Sequence, residues 1–375
     1  MRGTQVIIDD IEEDFGGIDT AVAAHVERAL ADYLAGRQAG MAAVAPYFGS
    51  AVESLSAFVL GGGKRIRPTF AWWAWRGAGG AGDGEQARAV LRAVSALELI
   101  QACALVHDDL MDASAVRRGK PTVHVEFAAR HRERGWLGAP ERFGAAAAIL
   151  LGDLALAWAD DMYVGAGLPA DRRDAALPPW QAMRAEMLAG QYLDVLTQAK
   201  GDESAEAALS VARMKTAAYT VERPLHMGAA LAGAPEQVVG ALRAFGADIG
   251  LAFQLRDDLL GMYGDTDVTG KPAGDDLREG KRTLLMSVGT RRADAAGRDT
   301  DARVLRAALG DEDLDSATVE RVRDLLVDLG AVAEVEHRMD ELTDTAMTAL
   351  ASVDLAEPAG AVLADLAITA TRRTS

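Results

Sequence analysis

Apolar residues recur at intervals of three and four along nearly the whole chain, and sustained alternation of β-branched and polar residues between turn signals is absent. This pattern predicts an all-α protein. Residues 87–113, ARAVLRAVSALELIQACALVHDDLMDA, read as one long helix with Val94, Leu97, Ile100, Ala104 and Leu105 on its apolar side. Breaks bearing Gly, Pro or polar residues are expected at 76–86, 134–144, 165–179 and 291–303. None is long enough for an interdomain linker, so residues 1–375 are expected to form one large single-domain helical bundle, with residues 1–20 flexible. DDLMD (108–112) and DDLLG (257–261) each follow a strongly apolar helical run, about 150 residues apart. Two such helices facing one another would build a site in a central cavity from inward-facing side chains.

Composition narrows the function classes. Half of the 375 residues are hydrophobic and a quarter charged, enough for a large core. Lys and Arg number 39 against 56 Asp and Glu, a net charge of −17, which argues against binding nucleic acid or anionic membrane surfaces. An anionic ligand would then need a local cluster of cations. Cys103 is the sole cysteine, so no intrachain disulfide forms and a cytoplasmic location is expected. The N-terminal MRGTQVIIDDIEEDF is acidic where a secretion signal is basic. The most apolar run, GAAAAILLGDLALAWA, is interrupted by Asp153 and falls short of the ~20 residues of a membrane span, so no stable insertion is expected.

The aspartates carry the first chemical signal. At 3.6 residues per turn Asp108 and Asp112 lie about 40° apart on one helix face, with Asp109 about 100° round. Like charges stacked this way at a helix C-terminus oppose both one another and the macrodipole, so a positive partner is expected. Oxygen ligands without His or Cys suit Mg²⁺, which bridges one or two carboxylates to substrate phosphates. In the second cluster, Asp257–Asp258, Gln254 lies one turn earlier on nearly the same face. A third pair, Asp160–Asp161, has no such glutamine and no basic residues directly after it, and is read as structural. The lone His107 is read as a packing residue.

The cations carry the second. LGGGKRIRPTF (60–70) places Lys64, Arg65 and Arg67 between three glycines and a helix-initiating Pro68. It lacks the G-K-[ST] of a P-loop, but glycines ahead of a cationic helix start let the backbone approach an anion. Arg117–Arg118 follow the first aspartates, and adjacent arginines on a loop can face opposite sides and grip different phosphates. Lys215–Thr216, Lys271 and Lys281 lie downstream.

In their order (GGGKRIRP, Gln101, DDLMD, RRG, KT, FQLRDD, GK and GKRT) these segments resemble the trans-isoprenyl diphosphate synthases, the polyprenyl synthetase family, over roughly residues 45–290. DDLLGMYGDTDVTGKPAGDDLREGKRT is most similar to the bacterial branch associated with geranylgeranyl diphosphate. The resemblance implies the isoprenoid-synthase helical bundle, a homodimer, and three Mg²⁺ ions per substrate-loaded site. It implies that Asp108 and Asp112, with Asp257 opposite, hold those ions against an allylic diphosphate gripped by Arg117, Lys215, Lys271 and Lys281, with Thr216 and Gln254 beside the reacting carbon. Lys64, Arg67, Gln101 and Arg118 would hold isopentenyl diphosphate. Gly261 stands where the family's second motif often carries a third aspartate, a departure that this bacterial branch shares.

In this family the growing hydrocarbon runs along the first aspartate helix, and large residues four or five places before the first aspartate act as its floor. Those places hold the small Ala104 and Cys103, so the expected floor falls at Ile100 or Leu97, one or two turns deeper at ~5.4 Å per turn. A C20 product is expected, with C15 and C25 or longer as alternatives. A class I terpene cyclase, the nearest rival, needs no second diphosphate pocket and carries an N-D-x-x-S-x-x-x-E-like motif. A non-catalytic partner subunit typically loses one aspartate motif.

Overall fold

The structure, a computed structural model, describes residues 17–264 and 274–371; Lys271 lies outside them. Helix follows helix, as the apolar spacing predicts. In chain order they are α1 (Val22–Val44), α2 (Pro46–Leu60), α3 (Ile66–Gly77), α4 (Gly84–Ser95) and α5 (Leu97–Met111). A two-residue-per-strand hairpin, β1 (Val116–Arg117) and β2 (Lys120–Pro121), precedes α6 (Val123–Glu133), α7 (Pro140–Val164), α8 (Ala170–Lys200) and α9 (Ala205–Val211). A π-helical segment, Ala212–Glu222, leads into α10 (Arg223–Ala232) and α11 (Glu236–Tyr263). The C-terminal part comprises α12 (Asp275–Arg278), α13 (Leu284–Ala295), α14 (Asp299–Ala308), α15 (Ser316–Asp328), α16 (Ala331–Ala351) and α17 (Ala359–Thr371).

Several boundaries differ from the sequence expectation, each for a local reason. The long helix over 87–113 is interrupted at Ala96, where the buried Ser95 hydroxyl donates back to Leu91 O at 2.7 Å, a contact that bends helices. The break expected over 165–179 ends at Ala170, and α8 runs on through Pro178 and Pro179. The adjoining Trp180 holds that stretch in place: it stacks on Tyr163 at 4.6 Å, and its Nε1 donates to Asp160 Oδ1 at 2.6 Å. Asp161 pairs with Arg37 at 2.9 Å, so this aspartate pair is structural, as expected. Residues 1–16 lie outside the described chain. Residues 18–20, expected to be flexible, form a 3₁₀ turn whose Asp19 carboxylate accepts from Trp72 Nε1 at 2.8 Å and pairs with Arg76 at 2.9 Å.

Apolar side chains bury into two clusters, one centred on α1–α8 and α10, the other on α13–α16; α11 contributes to both. Three helical stretches, Gly84–Met111, Pro140–Val164 and Glu236–Tyr263, are long and apolar enough to cross a membrane by length and composition. This differs from the expectation that the run around Asp153 is too short, because α7 extends beyond it at both ends. The apolar window of Gly84–Met111 is 78% buried inside the bundle, that of α7 only 39%.

The π segment fits because glycines face it from both sides. A Cβ at Gly190 of α8 would overlap the Lys215 amide; at Gly246 and Gly250 of α11 it would lie 2.7 Å from Glu222 Cα and 2.6 Å from Ala217 O. Lys215 and Tyr219, and likewise Thr216 and Thr220, four residues apart, all face one cavity, and π-helical turns recur at functional sites. Gly190→Ala is therefore expected to destabilise the protein by about 1–3 kcal/mol through overpacking, measured by denaturant midpoint. Gly240→Ala on α11, whose Cβ would meet nothing within 4 Å, should leave the midpoint unchanged or slightly raised; equal effects at the two positions would contradict the close approach.

Candidate active site

The first aspartates sit where α5 ends. Asp112 is its cap, and Ala113 takes a left-handed conformation at φ 53°. Ala113 N donates to Leu110 O at 3.4 Å and Ser114 N to Asp109 O at 2.9 Å, the Schellman pairing that usually employs glycine. The chain then enters the hairpin, in which Arg117 lies opposite Lys120 and the two loop residues, Arg118 (φ 52°) and Gly119 (φ 72°), form a type I′ turn. This turn separates the adjacent arginines. Arg117 points back to the aspartates, 2.6 Å from Asp109 Oδ1 and 3.5 Å from Asp108 Oδ2. Arg118 points to the glycine loop, where its guanidinium donates to Gly62 O.

Carboxylates and cations are interleaved around the cavity. Lys215 Nζ donates to Asp108 Oδ1 at 2.8 Å and Asp194 Oδ2 at 2.5 Å, and Gln191 Nε2 donates to Asp108 Oδ1 at 3.1 Å. Lys281 Nζ lies 2.5 Å from Glu279, 3.3 Å from Asp112 and 3.5 Å from Asp276. Burial alone would raise the Asp108 carboxyl, but Lys215, Lys281 and Arg117 outweigh it and hold it below the usual carboxylate range. Asp112 moves the other way, raised by burial and by the Asp108 charge. Burial disfavours both ammoniums, yet Asp108 and Asp194 keep Lys215 charged, and Asp276 and Glu279 keep Lys281 charged.

The second cluster faces the same cavity. Gln254 Nε2 donates to Asp258 Oδ1 at 2.6 Å, while burial, with Asp276 and Asp257 adding, pushes the Asp258 carboxyl up to about 8. The place of the missing third aspartate is already filled, because a Cβ on Gly261 would overlap Asp276 Oδ2. A carboxylate therefore stands beside position 261, delivered from α12. Among the described residues no three His, Cys, Asp or Glu side chains converge as a ready-made metal cage. Carboxylates on two helices facing one cavity, without nitrogen or sulfur donors, fit a hard cation completed by water and phosphate oxygens.

The cavity, about 550 Å³, is lined by Lys64, Arg65, Arg67, Gln101, Ala104, Leu105, Asp108, Arg117, Arg118, Lys215, Thr216, Gln254, Asp257, Asp258, Gly261 and Lys281 among the residues singled out from sequence. Arg67 Nη2 donates to Thr220 Oγ1 at 2.9 Å, and its guanidinium lies 4.2 Å from the centre of the Tyr219 ring. Asp112 is off the wall, behind Lys281. Two of the proposed chain-length positions are also off it. Ile100 is in the core, and Cys103 is 1% exposed with Sγ 3.7 Å from His107 Nδ1. Rotation explains Cys103, which is turned about 140° from Asp108, while Ala104 lies one turn below Asp108 and Ile100 one turn deeper still. His107 packs as expected, its Nε2 3.2 Å from Ile149 O.

Met187, Gln191, Asp194 and Asp276 line the cavity but were not anticipated. Gln191 and Asp194 had a legible signal, a polar pair three residues apart after Gly190 in GQYLD. Asp276 had none, since its role depends on how α12 folds back on α11.

The polyprenyl synthetase family model matches residues 50–326. The crystal structure of a geranylgeranyl pyrophosphate synthase from Corynebacterium glutamicum, complexed with isoprenyl diphosphate and magnesium, aligns with a TM-score of 0.89 at 43% identity, covering 93% of this chain and 98% of that one. A geranylfarnesyl diphosphate synthase from Aeropyrum pernix is 34% identical over 289 residues, 75% of this chain and 80% of that protein. A (2E,6E)-farnesyl diphosphate synthase from Mycobacterium bovis is 37% identical over 236 residues, 63% of this chain and 59% of that protein. The family match spans most of the chain and the cavity lies within it: the chain belongs to the polyprenyl synthetase family, the trans-prenyltransferases.

Proposed function

We propose that this chain condenses isopentenyl diphosphate head-to-tail with an allylic diphosphate, and that its product is all-trans geranylgeranyl diphosphate (C20). The carrying observation is that one cavity presents two anion-binding groups: Arg117, Lys215 and Lys281 among the carboxylates, and Lys64, Arg67 and Arg118 on the glycine-loop side. A terpene cyclase has no use for the second group, and a non-catalytic subunit has no need of both aspartate clusters.

Asp108 and Asp257 on the cavity wall, with Asp112 beside Lys281, would hold magnesium, which when bound supplies positive charge to the leaving diphosphate as the allylic C–O bond ionises. Arg117, Lys215 and Lys281 add fixed positive charge where negative charge grows, stabilising the transition state more than the ground state. Lys215 has three N–H donors; Asp108 and Asp194 take two, and the third is available to a phosphate oxygen. Donation from Gln254 Nε2 to Asp258 leaves Oε1, the negative end of the amide dipole, available to the allylic cation, with Thr216 on the same wall. Lys64, Arg67, Gln101 and Arg118 hold isopentenyl diphosphate so that its double bond attacks the cation. A carbon–carbon bond forms, and the proton at C2 leaves to the released diphosphate, so no side-chain base is required.

Ala104 supports the chain-length reading. It lies on the cavity wall one turn from Asp108, and the buried Met187 of α8 lines the same cavity one turn before Gln191. Position 104 itself, where a large side chain would stop a C15 product, carries a small one. We also propose a homodimer: α7 and α8 expose Ile149, Leu150, Leu188, Tyr192 and Val195, an apolar surface that a second copy would cover.

With Mg²⁺, isopentenyl diphosphate and farnesyl diphosphate, the purified protein should yield geranylgeranyl diphosphate by chromatography of the dephosphorylated alcohols. Cyclised hydrocarbons alone, or no metal-dependent turnover, would refute the synthase reading. Ala104→Phe should shift the product toward C15; an unchanged profile would put the floor elsewhere.

A further inference from the structure

Arg65 sits between two residues proposed to hold isopentenyl diphosphate, Lys64 and Arg67, yet its side chain turns inward. It immediately precedes α3 and adopts φ 49°, ψ 38°, a left-handed conformation that favours glycine. Its side chain is 2% exposed. Nη1 donates to Glu98 Oε2 at 2.8 Å, a carboxylate almost equally covered, and Nη2 donates to Val59 O at 3.0 Å and lies 3.3 Å from Glu27 Oε1. Those partners belong to α5, α2 and α1.

Stability alone explains this arrangement poorly. A left-handed non-glycine residue and a buried ion pair both oppose folding. Arg65 Nε and Glu98 Oε1 are also buried without a hydrogen-bond partner, so the pair is not saturated. Geometry is what the pair secures. Glu98 lies one turn before Gln101 on α5, the helix that ends in Asp108 and Asp112. A Cβ on Gly63 would stand 3.6 Å from Arg65 Nη1 and 3.3 Å from Arg118 Nη2, so the glycine loop is seated between the two guanidiniums. On the far side of Arg65, Arg67 turns to Thr220 and Tyr219.

We propose that the Arg65–Glu98 pair is a positioning device for the isopentenyl diphosphate pocket, pinning the glycine loop to the metal-binding helix so that Lys64 and Arg67 both face the cavity. The inference rests on the reading of that pocket given above. Arg65 borders the cavity, but its guanidinium is buried and donates to Glu98 and Val59; it acts through its neighbours, in the left-handed conformation that lets the chain turn from the loop into α3.

The test is a split between Michaelis constants in Arg65→Met/Glu98→Leu, which removes both charges together so that neither is left buried and unpaired. The expected result is a KM for isopentenyl diphosphate raised at least tenfold, with the KM for farnesyl diphosphate within about twofold of wild type and a cooperative thermal transition retained. Both constants unchanged, or both raised equally, would overturn the proposal and leave the pair a structural contact. If the double variant does not fold, Glu98→Gln, which keeps the volume and one hydrogen bond, should show the same split at smaller size, and its absence there would count equally against the proposal. A wild-type protein that turns over no isopentenyl diphosphate would instead overturn the functional reading on which the proposal stands.

Discussion

The Lys215 ammonium, held between Asp108 at 2.8 Å and Asp194 at 2.5 Å, joins three elements on which the cavity depends: α5, α8 and the π segment. Each partner is largely buried, and removing one charge from such a group leaves the others uncompensated, a loss of about 3–5 kcal/mol in comparable buried pairs. Lys281 does the same work on the other side, reaching Asp112, Asp276 and Glu279. The cavity therefore contains many charges without a large local excess of either sign, in a protein whose overall charge is −17. That balance allows anionic substrates to enter a strongly acidic protein.

Backbone strain is concentrated at the same place. Among the described residues the non-glycine positions with positive φ are Arg65, Ala113 and Arg118, and each borders one arm of the proposed site. A left-handed L-residue costs roughly 1–2 kcal/mol, so the turns that aim Lys64, Arg117 and Arg118 are maintained against local preference by surrounding contacts. The π segment adds a constraint of another kind, since Gly190, Gly246 and Gly250 give up side-chain packing to admit it. Rigidity around the cavity comes from several helices locking one another rather than from any single strong contact.

Much of this was legible in the chain. The 3.6-residue periodicity identified the all-α architecture, and the ordered spacing of cations and aspartates identified most of the charged cavity wall, with Asp194, Asp275, Asp276 and Arg282 the exceptions. What escaped shares a cause, which is dependence on tertiary neighbours. Pro178 and Pro179 read as a break, but Trp180 stacks on Tyr163 and the helix continues. Ser95 looks neutral, yet its back-bond to Leu91 divides the helix expected over 87–113. Cys103 is turned about 140° from Asp108 and packs on His107, and Ile100, a turn deeper than Ala104, lies in the core, so of the three chain-length positions Ala104 meets the cavity. Beside Gly261, where the motif departs from a third aspartate, stands Asp276, brought there only by the fold of α12 against α11.

On the function proposed above, one cavity holds two diphosphates by different means, one through carboxylate-bound magnesium and the other through side-chain cations alone. Titration calorimetry of each substrate by itself, where no reaction can occur, tests this most directly. Farnesyl diphosphate should bind tightly only with Mg²⁺ and should lose that dependence in Asp108→Ala, while isopentenyl diphosphate should bind with similar affinity with or without Mg²⁺ and be little affected by that substitution. Equal magnesium dependence for both substrates, or equal loss of both in Asp108→Ala, would contradict the division of the cavity into two pockets.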